Sequence, residues 1–290
     1  MEKSAAKVKT KMSEKYFFCC PVCKGVLLDN VRTVKCEKGH SFDKSKEGYV
    51  NLLRSQKSSS AHHGDDKLML KARQGFLNKG YYKNLNEIIC EKVKKHAFSG
   101  MRILDCGCGE GYYLSSISTL LKESNIQAEI GAVDISKEAV RLTVKNVDGV
   151  SGAVASVFDL PVENESADIL LNIFSPLADG EFLRVLKQNG TLIRVTPRED
   201  HLFSLKKAVY DIPIKNEAVN KAIDGLSIIE EDELIGSADL ICNEDIKNLF
   251  MMTPYYYKTG KADQKKLDKI DRLTVETCFD ITVYSKKVKE

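Results

Sequence analysis

The chain has 290 residues, with 44 Lys and Arg against 41 Asp and Glu, a net charge of +3, nine cysteines and no tryptophan. No apolar run reaches the about 18 residues that a membrane-spanning helix needs, and an odd number of cysteines spread along the chain argues against a disulfide framework. The charge is uneven. Residues 1–99 carry 21 Lys and Arg against 10 Asp and Glu, so a basic first third suited to a polyanion precedes an acidic remainder.

Residues 1–15 are Lys-rich and lack the apolar centre of a signal peptide, which predicts a disordered, solvated tail. A cytoplasmic setting with reduced thiols follows as an expectation. Residues 16–55 open with Cys20-x2-Cys23 and, twelve residues later, Cys36-x3-His40. A pair of cysteines two apart turns both sulfurs toward one ion, and the second pair closes a tetrahedron across a short hairpin. This chemistry suits Zn2+, and four protein ligands leave no position for water, so the site is expected to be structural. A redox Cys-x-x-Cys leaves the second pair unexplained. Cys19 is the spare, because its spacing to Cys23 is the wider one.

Residues 56–80 are expected to form a connection and a helix. QKSSSAHHGDD, with His62 and His63, reads as a polar flexible stretch, and KLMLKARQGFLNK as a helix ended by Gly80. Residues 81–290 then form the second domain. NLNEIICEKVKKHAF puts Leu85, Ile88, Ile89 and Val93 on one helical face. From residue 101 strands and helices alternate: strand 101–105, helix 111–122, strand 128–135, helix 136–147 with Ser136 as N-cap, then strands in VSGAVAS, ADILLNIF and GTLIRVT, with a helix over ADGEFLRVLK. LSIIEEDELI, a helix from Glu244 to Met251 and a last strand in CFDITVYSKK complete the chain. The pattern predicts an α/β fold, a mostly parallel seven-stranded sheet with helices on both faces, preceded by the small metal-binding lobe.

The first strand of this domain runs into ILDCGCGEGYY. Gly107, Gly109 and Gly111 allow a sharp turn and close approach of a ligand. The dinucleotide fingerprint G-x-G-x-x-G needs its third glycine where Tyr112 stands, so that ligand is not indicated. The spacing, with Asp105 before the first glycine, resembles motif I of Rossmann-like S-adenosylmethionine methyltransferases. Asp134 ends the next strand, where a carboxylate can accept both ribose hydroxyls. Asp105 and Glu110 suit a cationic ligand. In VASVFDLP, Ser156 and Phe158 fall near the adenine position. A glycine turn without ligand is the plainer alternative, and Cys106 and Cys108 read as small packing residues.

Taken together, CPVC…CEKGHSFD, KEGYVNLL, KARQGFLNKGYY, LDCGCGEGYY, IFSP, TPREDHLFSLK and MMTPYYY resemble the bacterial 23S rRNA (guanine-N1)-methyltransferases, RlmA-type and zinc-containing. The resemblance runs over nearly the whole chain. It implies zinc on Cys20, Cys23, Cys36 and His40. It implies S-adenosylmethionine held by Tyr82, Gly107 to Gly111, Asp134 and His201, with Tyr112 and Ile135 beside them. It implies a 23S rRNA hairpin loop as partner and a homodimer. From residue type alone, His201 reads as a polar helix-start residue and Tyr82 as a hydrophobic contact. Asp159 and Asn172 depart from a constant pattern, because related sequences vary in charge there.

Guanine N1 lies on the Watson–Crick edge, so the target must be unpaired or flipped. The strand end Asn172-Ile173-Phe174-Ser175-Pro176 lies where such enzymes meet the target base: Phe174 can stack on it, or pack in the core, and the Asn172 amide can bond it. No general base is legible. Lys24, Arg32, Lys35, Lys38 and Lys44 make the zinc lobe the RNA-holding half, through phosphates. A small-molecule methyltransferase explains the glycine turn but not the basic lobe. A non-catalytic RNA-binding protein predicts a damaged turn or a lost Asp134, and both are intact.

Overall fold

The computed structural model describes residues 15–54 and 64–287. The Lys-rich tail up to residue 14 and the stretch 55–63, with His62 and His63, lie outside them. The first lobe is a four-stranded antiparallel sheet in sequential order: β1 (Lys15–Cys19), β2 (Val26–Asp29), β3 (Thr33–Cys36) and β4 (Ser41–Asp43). In β3 the exposed Lys35 separates the buried Val34 and Cys36, the alternation of a half-buried strand.

The remaining elements are β5 (Val50–Asn51), α1 (Lys67–Leu77), α2 (Lys83–His96), β6 (Met101–Cys106), α3 (Tyr112–Glu123), β7 (Ala128–Asp134), α4 (Lys137–Asn146), β8 (Ser151–Val154), β9 (Ala167–Ile173), α5 (Asp179–Val185), β10 (Leu186–Pro197), α6 (Phe203–Val209), β11 (Leu226–Leu240), α7 (Asn243–Met251), the short α8 (Lys261–Gln264) between two 3-10 turns (Tyr256–Lys258 and Lys265–Lys269), and β12 (Leu273–Lys286). Asp66 caps α1 by accepting the Leu68 and Met69 N–H groups at 2.8 and 2.9 Å. This satisfies two donors the helix leaves open. Gly80, at φ +81°, turns the chain from α1 toward α2.

The large sheet has the order β11-β12-β10-β9-β6-β7-β8-β5. The pairs from β5 through β10 are parallel, and β12 is antiparallel to both β10 and β11. The sheet therefore has eight strands rather than the expected seven. The extra one is β5, from the end of the stretch read as the zinc lobe. It pairs Val50 with Ala153 and Asn51 with Val154. Two residues of strand are too short to leave a sequence signal, and Tyr49, Val50 and Leu52 read equally well as lobe core. The strands of β11 and β12 also run longer than their apolar stretches, because they pair with each other along their whole length.

Successive residues of β6 enter opposite cores. Ile103 joins a cluster with Phe76, Leu85, Ile117 and Phe279, and Leu104 joins one with Phe182, Leu192 and Tyr284. The second cluster also contains Phe17, Phe18, Leu27 and Val34 of the first lobe. The lobe thus completes a core begun by the large sheet. Phe17 lies flat on β7 where a side chain at Gly131 would block it: a Cβ there would stand 2.6 Å from Phe17 Cδ1. The Arg102 guanidinium covers the ring at 4.3 Å and donates to the Phe17 carbonyl at 2.8 Å. Burying each phenylalanine contributes about 2 kcal/mol.

The chain runs from β6 outward through β7 and β8, then crosses to the other side of β6 with β9. In an open parallel sheet the crevice beyond the strand ends at such a reversal is where ligands bind. The glycine turn after β6, Asp134 at the end of β7 and Phe174 after β9 all stand there.

Candidate functional site

Two knuckles build the metal centre. Cys20 N–H donates to the Gly25 carbonyl and Lys24 N–H to the Cys20 carbonyl, both at 2.8 Å, with Lys24 in the left-handed region at φ +57°. Opposite, Cys36 N–H donates to the His40 carbonyl at 3.0 Å across Gly39, at φ +84°. The three sulfurs and the imidazole nitrogen lie within 4.8 Å of one another. Cys23 Sγ is 3.6 Å from Cys36 Sγ, and His40 Nδ1 is 3.5 and 3.3 Å from Cys20 Sγ and Cys36 Sγ. Bonds of about 2.3 Å to sulfur and about 2.0 Å to nitrogen on a tetrahedron demand donor spacings of about 3.5–3.8 Å. The donor set and its spacing fit Zn2+. Cys19 is not part of the cluster. It is buried, its N–H donates to the Pro161 carbonyl at 2.8 Å, and burial pushes its thiol up to about 11.

The second centre forms on the glycine turn. Gly107, Gly109 and Gly111 have φ of +97°, +54° and +84°. Gly107 and Cys108 donate their N–H groups to the Val133 carbonyl at 2.8 and 3.0 Å. From α4, Thr143 Oγ1 donates to the Gly109 carbonyl and Asn146 Nδ2 to the Glu110 carbonyl. The turn is therefore shaped before any ligand arrives.

Asp134 accepts the Gly109 N–H on Oδ2 at 3.0 Å and the Ser136 N–H on Oδ1 at 2.8 Å. Each oxygen keeps lone pairs for a diol. Burial raises its pKa, against those two N–H groups. Asp105 is 3% exposed, and burial, with Asp134 and Glu110 adding, pushes it up to about 7. Glu110 is also buried and raised by burial. Among the described residues, one cation pairs with these acids. Arg73 of α1 lies 3.7 Å from Glu110 Oε2 and 2.6 Å from Asp65 Oδ2. Asp65, Glu110 and Asp134 around one guanidinium leave a surplus of negative charge, which fits a ligand bearing a sulfonium and an ammonium. Sequence reasoning missed Arg73 and Asp65. Arg73 stands in the stretch read as a helix and Asp65 in the one read as a polar connection, and charge pairing across the fold has no local signature.

Tyr82 and His201, far apart in sequence, meet here. His201 Nδ1 accepts the Cys278 N–H at 3.3 Å, so its proton sits on Nε2 and is given to the Tyr82 hydroxyl oxygen at 3.3 Å. Burial holds the imidazole neutral, down at about 3. Phe279 packs on both rings, at 5.0 and 4.5 Å between centroids. It also meets Phe174 at 5.4 Å, and Phe174 meets Tyr113 at 6.3 Å. The Tyr113 hydroxyl is buried without a partner among the described residues. Phe279 and Tyr113 are further residues that the sequence reading did not single out.

The other predicted residues fall around this wall. Tyr112 leans on Tyr113, 5.1 Å between centroids. Ile135 is half-buried against Gly64, whose added Cβ would stand 2.7 Å from Ile135 Cγ2. Ser156 starts a tight turn, accepting the Phe158 N–H on its hydroxyl and the Asp159 N–H on its carbonyl. Phe174 adopts φ +54°, a strained setting for a bulky residue, and is 43% exposed. That much exposure removes it from the core. Asn172 does not face open space. It is 1% exposed, and its Nδ2 donates to Ser175 Oγ at 2.6 Å, Ser175 O at 3.2 Å and Pro176 O at 3.1 Å. Its amide nitrogen is spent on shaping the turn that presents Phe174, which corrects the expectation of a direct bond from that nitrogen to a base.

Residues 18–61 match the family described as RlmA, N-terminal, a zinc ribbon, and residues 97–270 match a methyltransferase domain. The chain is 34% identical over 211 residues to a 23S rRNA (guanine(748)-N(1))-methyltransferase of Streptomyces fradiae, across 72% of this chain and 73% of the relative. It is 33% identical over 214 residues to YxjB of Bacillus subtilis (strain 168), named as a candidate 23S rRNA (guanine-N(1)-)-methyltransferase, across 71% and 74%. With its zinc ribbon and its S-adenosylmethionine-dependent methyltransferase domain, the chain belongs to the 23S rRNA (guanine-N1)-methyltransferase family.

Proposed function

We propose that the chain transfers a methyl group from S-adenosylmethionine to N1 of a guanine in a hairpin loop of 23S rRNA, as a cytoplasmic enzyme and as a homodimer. The observation that carries this is the union of two features in one body. A pre-shaped acidic cradle for a cationic methyl donor shares a core with a zinc ribbon whose Arg32, Lys35, Lys38 and Lys46 are exposed and form no ion pair among the described residues. Lys24 and Lys44, also expected to face RNA, are instead paired with Asp159 and Asp29. A small metabolite needs no such surface.

Bound S-adenosylmethionine supplies an activated methyl on sulfur. Asp134 would hold the ribose hydroxyls. Asp105 and Glu110 would balance the positive charges, and Tyr82 with His201 would close the methionine side. The Phe174 ring would stack on the flipped guanine, its backbone fixed by the Asn172-held turn. Positioning supplies most of the acceleration in such a transfer. The test is methylation of 23S rRNA fragments by the full chain with labelled S-adenosylmethionine, mapped by primer extension and mass. One guanine in a loop, blocked on its Watson–Crick edge, is the expected product. Labelling at another atom, or none in rRNA with a metabolite labelled instead, overturns the reading. Sedimentation of the free chain tests the dimer.

A further inference from the structure

Residues 100–290 carry 23 Lys and Arg against 31 Asp and Glu, yet the stretch from Lys247 to Arg272 within them carries seven against three. Lys247 pairs with Asp268, and Lys266 with Asp211 and Asp263. The other five, Lys258, Lys261, Lys265, Lys269 and Arg272, are exposed and form no ion pair among the described residues. A cluster of like charges left unneutralised in an acidic domain repels itself, and a polyanion relieves that repulsion. Asp271 stands between Lys269 and Arg272, so the three lysines nearest the tyrosines of MMTPYYY are the uncompensated ones.

The stretch is held firmly from behind. Gln264 Nε2 donates to the Tyr256 and Thr259 carbonyls at 3.0 and 2.9 Å, Lys266 Nζ to the Val209 carbonyl at 3.1 Å and Asn243 Nδ2 to the Leu267 carbonyl at 2.6 Å. Leu267 is buried in the cluster of Phe76 and Phe279. Lys261 and Lys265, four residues apart across α8 and the 3-10 turn after it, are therefore left on the outer side. Tyr257 stands beside them, 59% exposed. Its hydroxyl donates to Asp66, the cap of α1, and the Tyr256 ring meets it edge-on at 5.0 Å. An aromatic ring that is fixed at both ends and still mostly in water offers a face for stacking.

The place of this surface points to its partner. Tyr255 Oη donates to Asn216 Oδ1 at 3.4 Å, and Asn216 Nδ2 donates to the His201 carbonyl at 3.0 Å. Asp66, which holds Tyr257, adjoins Asp65, the partner of Arg73. The tyrosine turn thus borders the cofactor cradle. Leu267 belongs to the core on one face of the large sheet, and Phe17 and Phe18 of the zinc lobe to the core on the other. The unpaired cations of the lobe and those around Tyr257 flank the strand ends from the two faces, with the glycine turn and Phe174 between them. We propose that Lys258, Lys261, Lys265 and Tyr257 form a second rRNA-binding surface. The lysines hold phosphates of the strand that flanks the target loop, and an unpaired base of that strand stacks on Tyr257. A stacking ring among cations suits RNA, whereas an acidic protein would need the cations alone.

This rests on the methylation of rRNA proposed above, and the experiment separates the two. The full chain, its Lys258→Gln/Lys261→Gln/Lys265→Gln form, Tyr257→Ala and Tyr257→Phe are titrated with an rRNA fragment whose methylated guanine has been mapped, over a range of salt. A Lys94→Gln/Lys122→Gln/Lys145→Gln form is the charge-matched control. Those exposed lysines lie in the last turns of α2, α3 and α4, at the opposite end of the strands. The first triple form is expected to lower the slope of log affinity against log salt by about 2 and to bind at least about 10-fold more weakly at physiological salt. The control is expected to keep the native slope. Tyr257→Ala is expected to lose about 10-fold in affinity with the slope unchanged, and Tyr257→Phe to bind as the native chain does. Melting temperature and S-adenosylmethionine affinity are expected to stay native in all four. No methylation of rRNA by the native chain refutes the parent reading. Methylation by the native chain, with an unchanged slope in the first triple form or equal losses in the two triple forms, refutes this surface alone.

Discussion

Replacing Gly107 with alanine tests how the cofactor turn is held. The residue sits at φ +97°, where a side chain costs about 1 kcal/mol or more. The added Cβ would stand 2.9 Å from Ser175 Oγ and closer still to Ser175 Cβ. Ser175 cannot retreat freely, because its hydroxyl donates to the Cys106 carbonyl and its Oγ and carbonyl accept from Asn172. Moving it forfeits about two hydrogen bonds, at about 1 kcal/mol each. The total is about 3 kcal/mol, or a fall of about 6–12 °C in melting temperature at this size. Gly149→Ala is the control: its φ is +77°, yet no atom lies within 4 Å of the added Cβ. It pays the backbone strain alone, about 2–4 °C. Calorimetry of both variants, with titration of S-adenosylmethionine, reads the difference. Gly107→Ala should bind at least about 10-fold more weakly and Gly149→Ala should bind as the native chain does. Equal melting temperatures with equal cofactor affinities would refute the steric argument.

Cys20→Ser should lower bound zinc and melt the first lobe, whereas Cys19→Ser should keep one zinc per chain by metal analysis; zinc loss in both would place Cys19 in the cluster. Asp105, pushed up to about 7, favours its protonated form in the fold, so its contribution to stability is complete below about 3.8 and is lost as pH rises through about 7. A cationic cofactor reverses that preference: binding at pH 6.5 should release protons, read by calorimetry in buffers of different ionisation heat, and the release should vanish in Asp105→Asn. His201, depressed to about 3, contributes stability that is complete above about 6.5 and is lost as pH falls toward 3. The melting temperature should therefore drop between pH 6.5 and 5, and less so in His201→Gln; identical pH profiles for the two proteins would show that another group carries the effect.

Much of this was legible in the chain because the chemistry is local. Two metal knuckles, three alternating glycines and a strand-ending aspartate each occupy a few adjacent residues, and their spacing is set by backbone turns. The α/β alternation was legible for the same reason, through apolar period. What escaped was whatever depends on one strand meeting another. Arg73 and Asp65 meet the glycine turn only after α1 folds over it. Asn172 looked free because its strand end is exposed in sequence, yet the turn it begins folds back onto its own amide. Arg194 lay inside GTLIRVT, read only as strand, and its bond to the Asn220 carbonyl, with Nε unpartnered among the described residues, is a property of the packed face.

The zinc lobe was legible as a unit, but its relation to the cofactor was not. Lys24, inside the first knuckle, bonds Asp159 at 2.8 Å, and Cys19 N–H bonds the Pro161 carbonyl. On the other side β5 pairs with β8, and Leu52 N–H donates to the Val154 carbonyl at 2.9 Å. These contacts grip β8 and the turn after it, the turn that begins with Ser156. The exposed ion pair contributes little by itself, but the backbone pairings and the shared core with Phe17 and Phe18 are not screened by solvent. A lobe hung on a flexible tether would deliver RNA to the cofactor over a range of positions. A lobe that shares the core of the large sheet, with β5 joined to β8, fixes its cations relative to the Phe174 turn, so the RNA loop proposed as substrate would be placed by the same strands that shape the cofactor cradle.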